Sequence, residues 1–428
     1  MRFNKETFVA GFALFSMFFG AGNLMFPPLL GFKSGDAWLM VVIGFAISAV
    51  VIPILGIFAH ARLQGTMLDF AKKVSPLFSL IYCILVYIIS ITLPSPRTAS
   101  VTHEMAIEPF LGTSPWLTST VYFILVLLFV LNRSKVLTLL GKFLSPVLFI
   151  VVLSIICVGI FSVHNPVINP TEFKTPLVKG LLEGYQTFDA IGAVVVGGVI
   201  IISLKMKKGD NFKQNKGLII KSGIVAGLGL LIIYSGMIYS GALFNTQFDT
   251  EVTRTELLSG LSLKTLGKIG KVFLSILVSL ACFTTAVGIV TGTADFIKGI
   301  FNNSQKAYFF TAVIACVLGV LMGQFDVHYI VVIAIPALMF IYPITIILII
   351  LNVLPNKFTS AIVFRAVVLV TILFSIPDFL GSIGMKEFIR PVLETLPFGM
   401  YSLAWLLPAL VTLFLMNILS YFKRGNNI

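Results

Sequence analysis

The sequence predicts an all-α polytopic membrane protein of about twelve transmembrane helices, a five-plus-five inverted repeat with helices 1 and 6 broken, plus two extra C-terminal helices. Three observations carry this expectation. Of 428 residues, 58% are hydrophobic and 11% charged, with a mean hydropathy of +1.04, against roughly 25% charged in soluble domains. Thirty basic and 17 acidic side chains are too few to cover water-soluble domains of this size. The apolar runs are continuous over about 20 residues, as helices crossing hydrocarbon require, and lack the alternation of barrel strands. Finally, the first and sixth runs are interrupted by residues that unwind helices.

Spans fall at roughly 7–32, 37–60, 76–95, 116–132, 143–163, 182–204, 217–244, 270–299, 307–324, 328–353, 359–380 and 400–422. The expectation is one transmembrane domain, 1–428, with repeat halves at about 7–163 and 182–353 and accessory helices at about 359–422. With the amino terminus inside, twenty of the 30 Lys and Arg fall in cytoplasmic segments, whereas twelve of the 17 acidic residues fall outside and four inside, leaving Asp189 in the membrane. The positive-inside rule then puts both termini in the cytoplasm of a multi-pass protein. The net charge of +13 is thereby topological, and no nucleic-acid partner is expected.

Span 1 reads GFALFSMFFGAGNLMFPPLLG: Gly20, Ala21, Gly22 and Asn23 interrupt its middle, and Pro27 and Pro28 follow. Glycine costs about 1 kcal/mol and proline about 3 kcal/mol relative to alanine in a helix interior. Unwound backbone at membrane depth is tolerated only against protein or a watery cavity. The alternative is a packing notch or a proline kink. A cleaved signal peptide is the weaker reading, because apolar residues resume at once in Leu24, Met25 and Phe26. Span 6 carries Gly184, Tyr185, Gln186, Thr187 and Asp189 into the membrane, with Gly192, Gly197 and Gly198 following. Asp189 is the only carboxylate expected well inside a span, at a cost of about 2.5–3.5 kcal/mol on insertion scales. It needs a partner or a task, or else is a helix cap or a protonated structural residue.

Breaks five spans apart are the design of secondary transporters. Half-helices ending at the midplane offer free amides to a carboxylate and free carbonyls to a cation or ammonium, and an amino-acid zwitterion uses both. The connection near 245–269 reads as a surface amphipathic segment suited to covering a gate. In span 8, Thr284 and Thr285 place adjacent hydroxyls in an apolar helix. Either could simply bond back to a carbonyl one turn earlier; together with carbonyls of span 1 they could complete an oxygen cage for a small cation. Cys83, Cys157, Cys282 and Cys316 all lie in apolar runs and are packing residues.

The segments GAGNLMFPP at 20–28, GYQTFDAIGA at 184–193 and ACFTTAVG at 281–288 resemble the branched-chain amino acid:cation symporter family (LIVCS) of the amino acid-polyamine-organocation superfamily, and the resemblance runs the length of the chain. It implies a LeuT-like fold and sodium-coupled import of leucine, isoleucine and valine across a bacterial cytoplasmic membrane. By similarity, Na+ is the coupling ion, held by carbonyls of Ser16, Phe19 and Ala281 and hydroxyls of Thr284 and Thr285. The substrate carboxylate would meet the amides of Ala21 and Gly22, in a site that also takes in Gly20, Asn23, Tyr185, Thr187 and Asp189. Asn23 and Thr187 also fit places where that fold can hold a second cation. Asp189 is not a feature shared across that superfamily, and its expected role, toward the substrate ammonium or a proton, is read from this sequence alone. Phe18, Phe19, Ile191 and Tyr87 are candidate walls of the apolar pocket.

No organic cofactor and no obligate protein partner are implied, only the bilayer and the small substrate. A membrane enzyme is disfavoured by the lack of HExxH, a phosphate loop, CxxC or a membrane cluster of His and carboxylates. A channel would need a repeated filter or symmetric pore. The nearer alternative is a carrier of the same fold that uses protons or takes another small solute.

Overall fold

The computed structural model describes residues 5–20, 23–132, 135–163, 169–195 and 212–425. Ala21, Gly22, Gly197 and Gly198 lie outside the described residues. Span 1 is two helices, α1 (Lys5–Phe18) and α2 (Phe26–Ser34). Pro27 and Pro28 occupy the first turn of α2, where a missing amide breaks no intrahelical bond. Next come α3 (Trp38–Ala46), a π turn (Ile47–Val51) and α4 (Ile52–Leu63), then the short α5 (Met67–Ala71). The third span is α6 (Pro76–Thr92), started by the Ser75 cap on Phe78 N, and it continues through α7 (Pro94–Thr102), a π turn (His103–Ile107) and α8 (Glu108–Leu111). Then follow α9 (Pro115–Asn132) and α10 (Lys135–Ser162).

The second half opens with α11 (Pro176–Tyr185), a break at 186–188, and α12 at residues 189–195. It goes on through α13 (Phe212–Leu243) and α14 (Arg254–Ile300), which bends at Gly267 (φ 70°). The rest is α15 (Gln305–Gly323), α16 (Val327–Val353), α17 (Ala361–Leu380), α18 (Lys386–Thr395) and α19 (Leu406–Gly425). All regular elements among the described residues are helical. Eight helical stretches there are long and apolar enough to cross a membrane, joined by two shorter apolar helices, Pro146–Ser162 and Leu406–Leu419. Lipid-facing stripes are plain in places: Leu77, Ile81, Leu85 and Ile88 recur at helical spacing down the exposed side of α6.

Small residues set the closest helix crossings. A Cβ on Gly31 would strike the Ile238 carbonyl, and one on Gly241 the Pro28 carbonyl, so α2 and α13 meet backbone to backbone. The same holds for Gly44 of α3 against the Leu177 carbonyl and Gly180 of α11 against the Val41 carbonyl. Ser48 Oγ donates to the Leu181 carbonyl at 2.7 Å beside that contact. One half-helix at each break, α2 after the first and α11 before the second, is thus clamped to a neighbouring helix.

The structure corrects four expectations. The third span does not end at 95: the helical stretch runs Pro76–Leu111, and Arg97, expected in an outer loop, is 4% exposed within it. The connection 245–269 is not mainly loop, because Thr253 caps a helix at Arg254 that buries Leu257, Leu258 and Leu261. Span 6 starts at Pro176 rather than 182 and breaks at 186–188, ahead of Gly192. Asp189 is also not the only deeply buried carboxylate. Asp378, near the end of α17, is 4% exposed and accepts from Ala404 N at 3.0 Å.

Candidate functional site

The two breaks meet. At the first, Gly20 N bonds to the Phe18 carbonyl at 2.7 Å and Asn23 N to the Gly20 carbonyl at 2.9 Å, turns too tight for an α-helix. Asn23 Nδ2 then reaches Asp189 Oδ1 at 2.8 Å, across 166 residues of sequence, and also donates to the Phe18 carbonyl at 3.1 Å. Tyr234 of α13 donates to Asp189 Oδ2 at 3.3 Å. Asn23, Asp189 and Tyr234 are all buried, at 6%, 4% and 1% exposure. A buried carboxylate is tolerable only with such partners.

The second break has its own scaffold. Thr187 Oγ1 donates to the Gly184 carbonyl at 2.8 Å and accepts from Asp189 N at 3.3 Å, which starts α12. Phe188 takes a left-handed conformation (φ 60°), an unusual backbone for a bulky residue and one that persists only where its surroundings enforce it. Arg97 of α7 provides part of that enforcement: its guanidinium donates to the Gln186 carbonyl at 2.9 Å and lies over the Phe188 ring, 5.4 Å from the centroid. Gln186 Nε2 donates to the Val331 carbonyl at 3.3 Å, and Ala190 N donates to the Tyr342 hydroxyl at 3.2 Å. Tyr185 stacks on Tyr342 at 4.3 Å between centroids, and its buried hydroxyl lies near Asp378 and Trp405 rather than against Asp189.

The span 8 hydroxyls both donate to one acceptor, the Ala281 carbonyl, from Thr284 at 3.0 Å and Thr285 at 2.9 Å. This is the back-bonding open to any membrane threonine, yet each hydroxyl oxygen retains lone pairs for a further partner. A Cβ on Gly20 would sit 3.7 Å from Thr285 Oγ1, so the first break faces this pair. Phe19 is buried against Phe15, centroids 4.6 Å apart, one turn beyond Ser16. Among the candidate walls, Phe18 and Phe19 belong to the core around α1, α13 and α14, while Ile191 belongs to the core around α12 and α16. Tyr87 instead stacks on Phe296 at 4.5 Å, three turns along α14 from Thr285.

Above the breaks, on the face expected to be outside, a cavity of about 980 Å³ is lined by residues including Phe26, Glu104, Glu183, Arg254 and Asp326. Arg254 reaches Glu183 at 3.5 Å, and Lys179 reaches Glu183 at 3.1 Å. Glu104 accepts from Thr255 Oγ1 at 2.5 Å and from Val327 N at 2.7 Å, tying the start of α14 to the third span and to α16. Arg97 and Arg254 lie over the Phe26 ring at 5.0 Å and 5.5 Å. Sequence reasoning missed Arg97, Tyr234 and Tyr342. Tyr234 and Tyr342 are phenols within apolar runs, a faint signal, while Arg97 sits among polar residues that resemble a loop.

The family model described as branched-chain amino acid transport protein matches residues 3–423. The chain is 32% identical over 418 residues to the branched-chain amino acid permease BraB of Bacillus subtilis, covering 95% of this chain and 94% of the relative. It is 31% identical over 412 residues to the branched-chain amino acid transport system 2 carrier protein of Pseudomonas aeruginosa, covering 95% and 94%. Among solved structures, it is similar to the inward-facing conformation of Mhp1, with a TM-score of 0.63, 11% identity and coverage of 98% and 91%. It is also similar to the outward-open state of a Na+-coupled sialic acid symporter, with a TM-score of 0.60, 13% identity and coverage of 96% and 90%. At these identities the structural likeness speaks to the fold.

Proposed function

The chain belongs to the branched-chain amino acid transport protein family, and from that premise we propose that it is a sodium-coupled symporter importing leucine, isoleucine and valine by alternating access. The observation that carries the reading is the Asn23–Asp189 hydrogen bond at 2.8 Å, which joins two helix breaks at one buried point. In this reading the substrate lies between the breaks, ringed by Gly20, Ala21, Gly22, Asn23, Tyr185 and Thr187, with its ammonium toward Asp189. The cation is a co-substrate held by oxygens of Ser16, Phe19, Ala281, Thr284 and Thr285. The proximity of Gly20 to Thr285 supports that assignment. The chain acts as one transporter domain, with inverted-repeat halves at about 7–163 and 182–353 and both termini cytoplasmic.

An apolar pocket separates substrates differing by a methylene by only about 1–3 kcal/mol, so the three amino acids compete for one site. A polar side chain would leave a buried group unpaired, at about 1–3 kcal/mol. The test is labelled leucine uptake into proteoliposomes with and without an inward sodium gradient. Sodium-dependent uptake, inhibited by isoleucine and valine and reduced at least tenfold in Thr285→Ala, is the expected result. One observation favours a second reading, proton coupling: among the described residues, no cation lies within ion-pair distance of the buried Asp189. Uptake that follows a proton gradient and survives Thr285→Ala would select it and remove the sodium cage.

A further inference from the structure

We propose that Arg97 binds the carboxylate of the transported amino acid, opposite Asp189, so that the two buried charges grip the zwitterion from either side of the second break. The inference rests on the amino-acid carrier reading and sets a charged residue of the third span on the carboxylate that the family resemblance assigns to amides of the first break. Arg97 is 4% exposed, and a buried guanidinium is costly unless it is compensated. Among the described residues its side chain makes one hydrogen bond, to the Gln186 carbonyl, and no carboxylate lies within 4.0 Å of it. A guanidinium has five N–H donors in a planar fork that matches a carboxylate, so capacity for a bidentate partner remains. Its position is fixed: the Phe26 and Phe188 rings hold it at 5.0 Å and 5.4 Å, and the Gln186 carbonyl orients it.

Asp189 lies three residues beyond Gln186, whose carbonyl Arg97 holds, on the far side of the break. Asp189 is likewise held by neutral partners, Asn23 and Tyr234, rather than by a cation. Two opposite charges on either side of an unwound segment, neither in an ion pair with another described side chain, suit a ligand that carries an ammonium and a carboxylate on one carbon. An α-amino acid is that ligand. An amine lacking the carboxylate, or an acid lacking the ammonium, would leave one buried charge without its counter-ion.

The experiment measures ligand-dependent thermal stabilisation of the purified full-length protein in detergent, in sodium, with leucine and with 3-methylbutylamine, which is leucine without its carboxylate. In the parent, leucine half-saturates at a concentration at least roughly tenfold below the amine, the scale of a charge-assisted hydrogen bond. In Arg97→Gln, leucine weakens by at least about tenfold, to the level of the amine, while the amine weakens far less. Arg97→Lys falls between and carries the same comparison if Arg97→Gln does not fold. Equal weakening of leucine and the amine would make Arg97 a structural prop and overturn the proposal, as would unchanged leucine binding. A parent that binds the amine but not leucine, or neither ligand, overturns the branched-chain reading and the proposal with it.

Discussion

Tyr234 is within hydrogen-bonding reach of both polar partners of the first break's contact, donating to Asp189 at 3.3 Å and accepting from Asn23 at 3.5 Å. Tyr234→Phe removes that hydroxyl and keeps the ring packed edge-on to Phe45. The account predicts a loss of about 1 kcal/mol, hence a slightly lowered melting temperature and up to about fivefold weaker leucine affinity. Unaltered affinity would remove Tyr234 from the site. Asp189 was legible in the sequence because a carboxylate in an apolar run is costly and stands out as needing a partner or a task, a helix cap being the plainer alternative. Arg97 was not, because SPRTAS looks like a polar loop, and only the tertiary packing of α7 against α14 and α16 shows that its solvent is protein.

At the scale of elements, the breaks depend on how firmly their half-helices are clamped. Gly44→Leu would drive a side chain into the Leu177 carbonyl and push α11 from α3. Overpacking of this kind costs about 1–3 kcal/mol, and because α11 leads into Gln186–Phe188 it should lower the melting temperature and abolish uptake together. Gly288 is the control: an added Cβ there meets nothing within 4 Å, so Gly288→Ala should leave the melting temperature unchanged or slightly raised. A melting temperature for Gly44→Leu equal to the parent's would contradict the clamp. That spans 1 and 6 are interrupted was readable from Gly, Asn and Pro. The position of the second break was not, since its distinguishing feature is a left-handed Phe188 that neighbours impose and that no composition announces. The helix at 254–266 was legible only as an amphipathic stretch; what it covers required the bonds of Thr255 and Arg254.

At the scale of the molecule, the all-helical fold and its membrane solvent were fixed by composition, and the family by three short segments. One monovalent cation entering down about 100 mV contributes roughly 2.3 kcal/mol, and a tenfold gradient about 1.4 kcal/mol more. In the proposed sodium-coupled reading, together these would sustain several-hundredfold accumulation of substrate, provided the cation binds the two faces of the carrier unequally. The central claim is that the substrate sits where the two breaks meet. Its most direct test is leucine counterflow in proteoliposomes preloaded with unlabelled leucine, at equal sodium on both sides, comparing the parent with the isosteric Asp189→Asn. Counterflow bypasses the driving ion and reports on the substrate site itself. The account predicts exchange in the parent and a loss of at least about tenfold in Asp189→Asn with the protein still folded; exchange at the parental rate in that variant would contradict it.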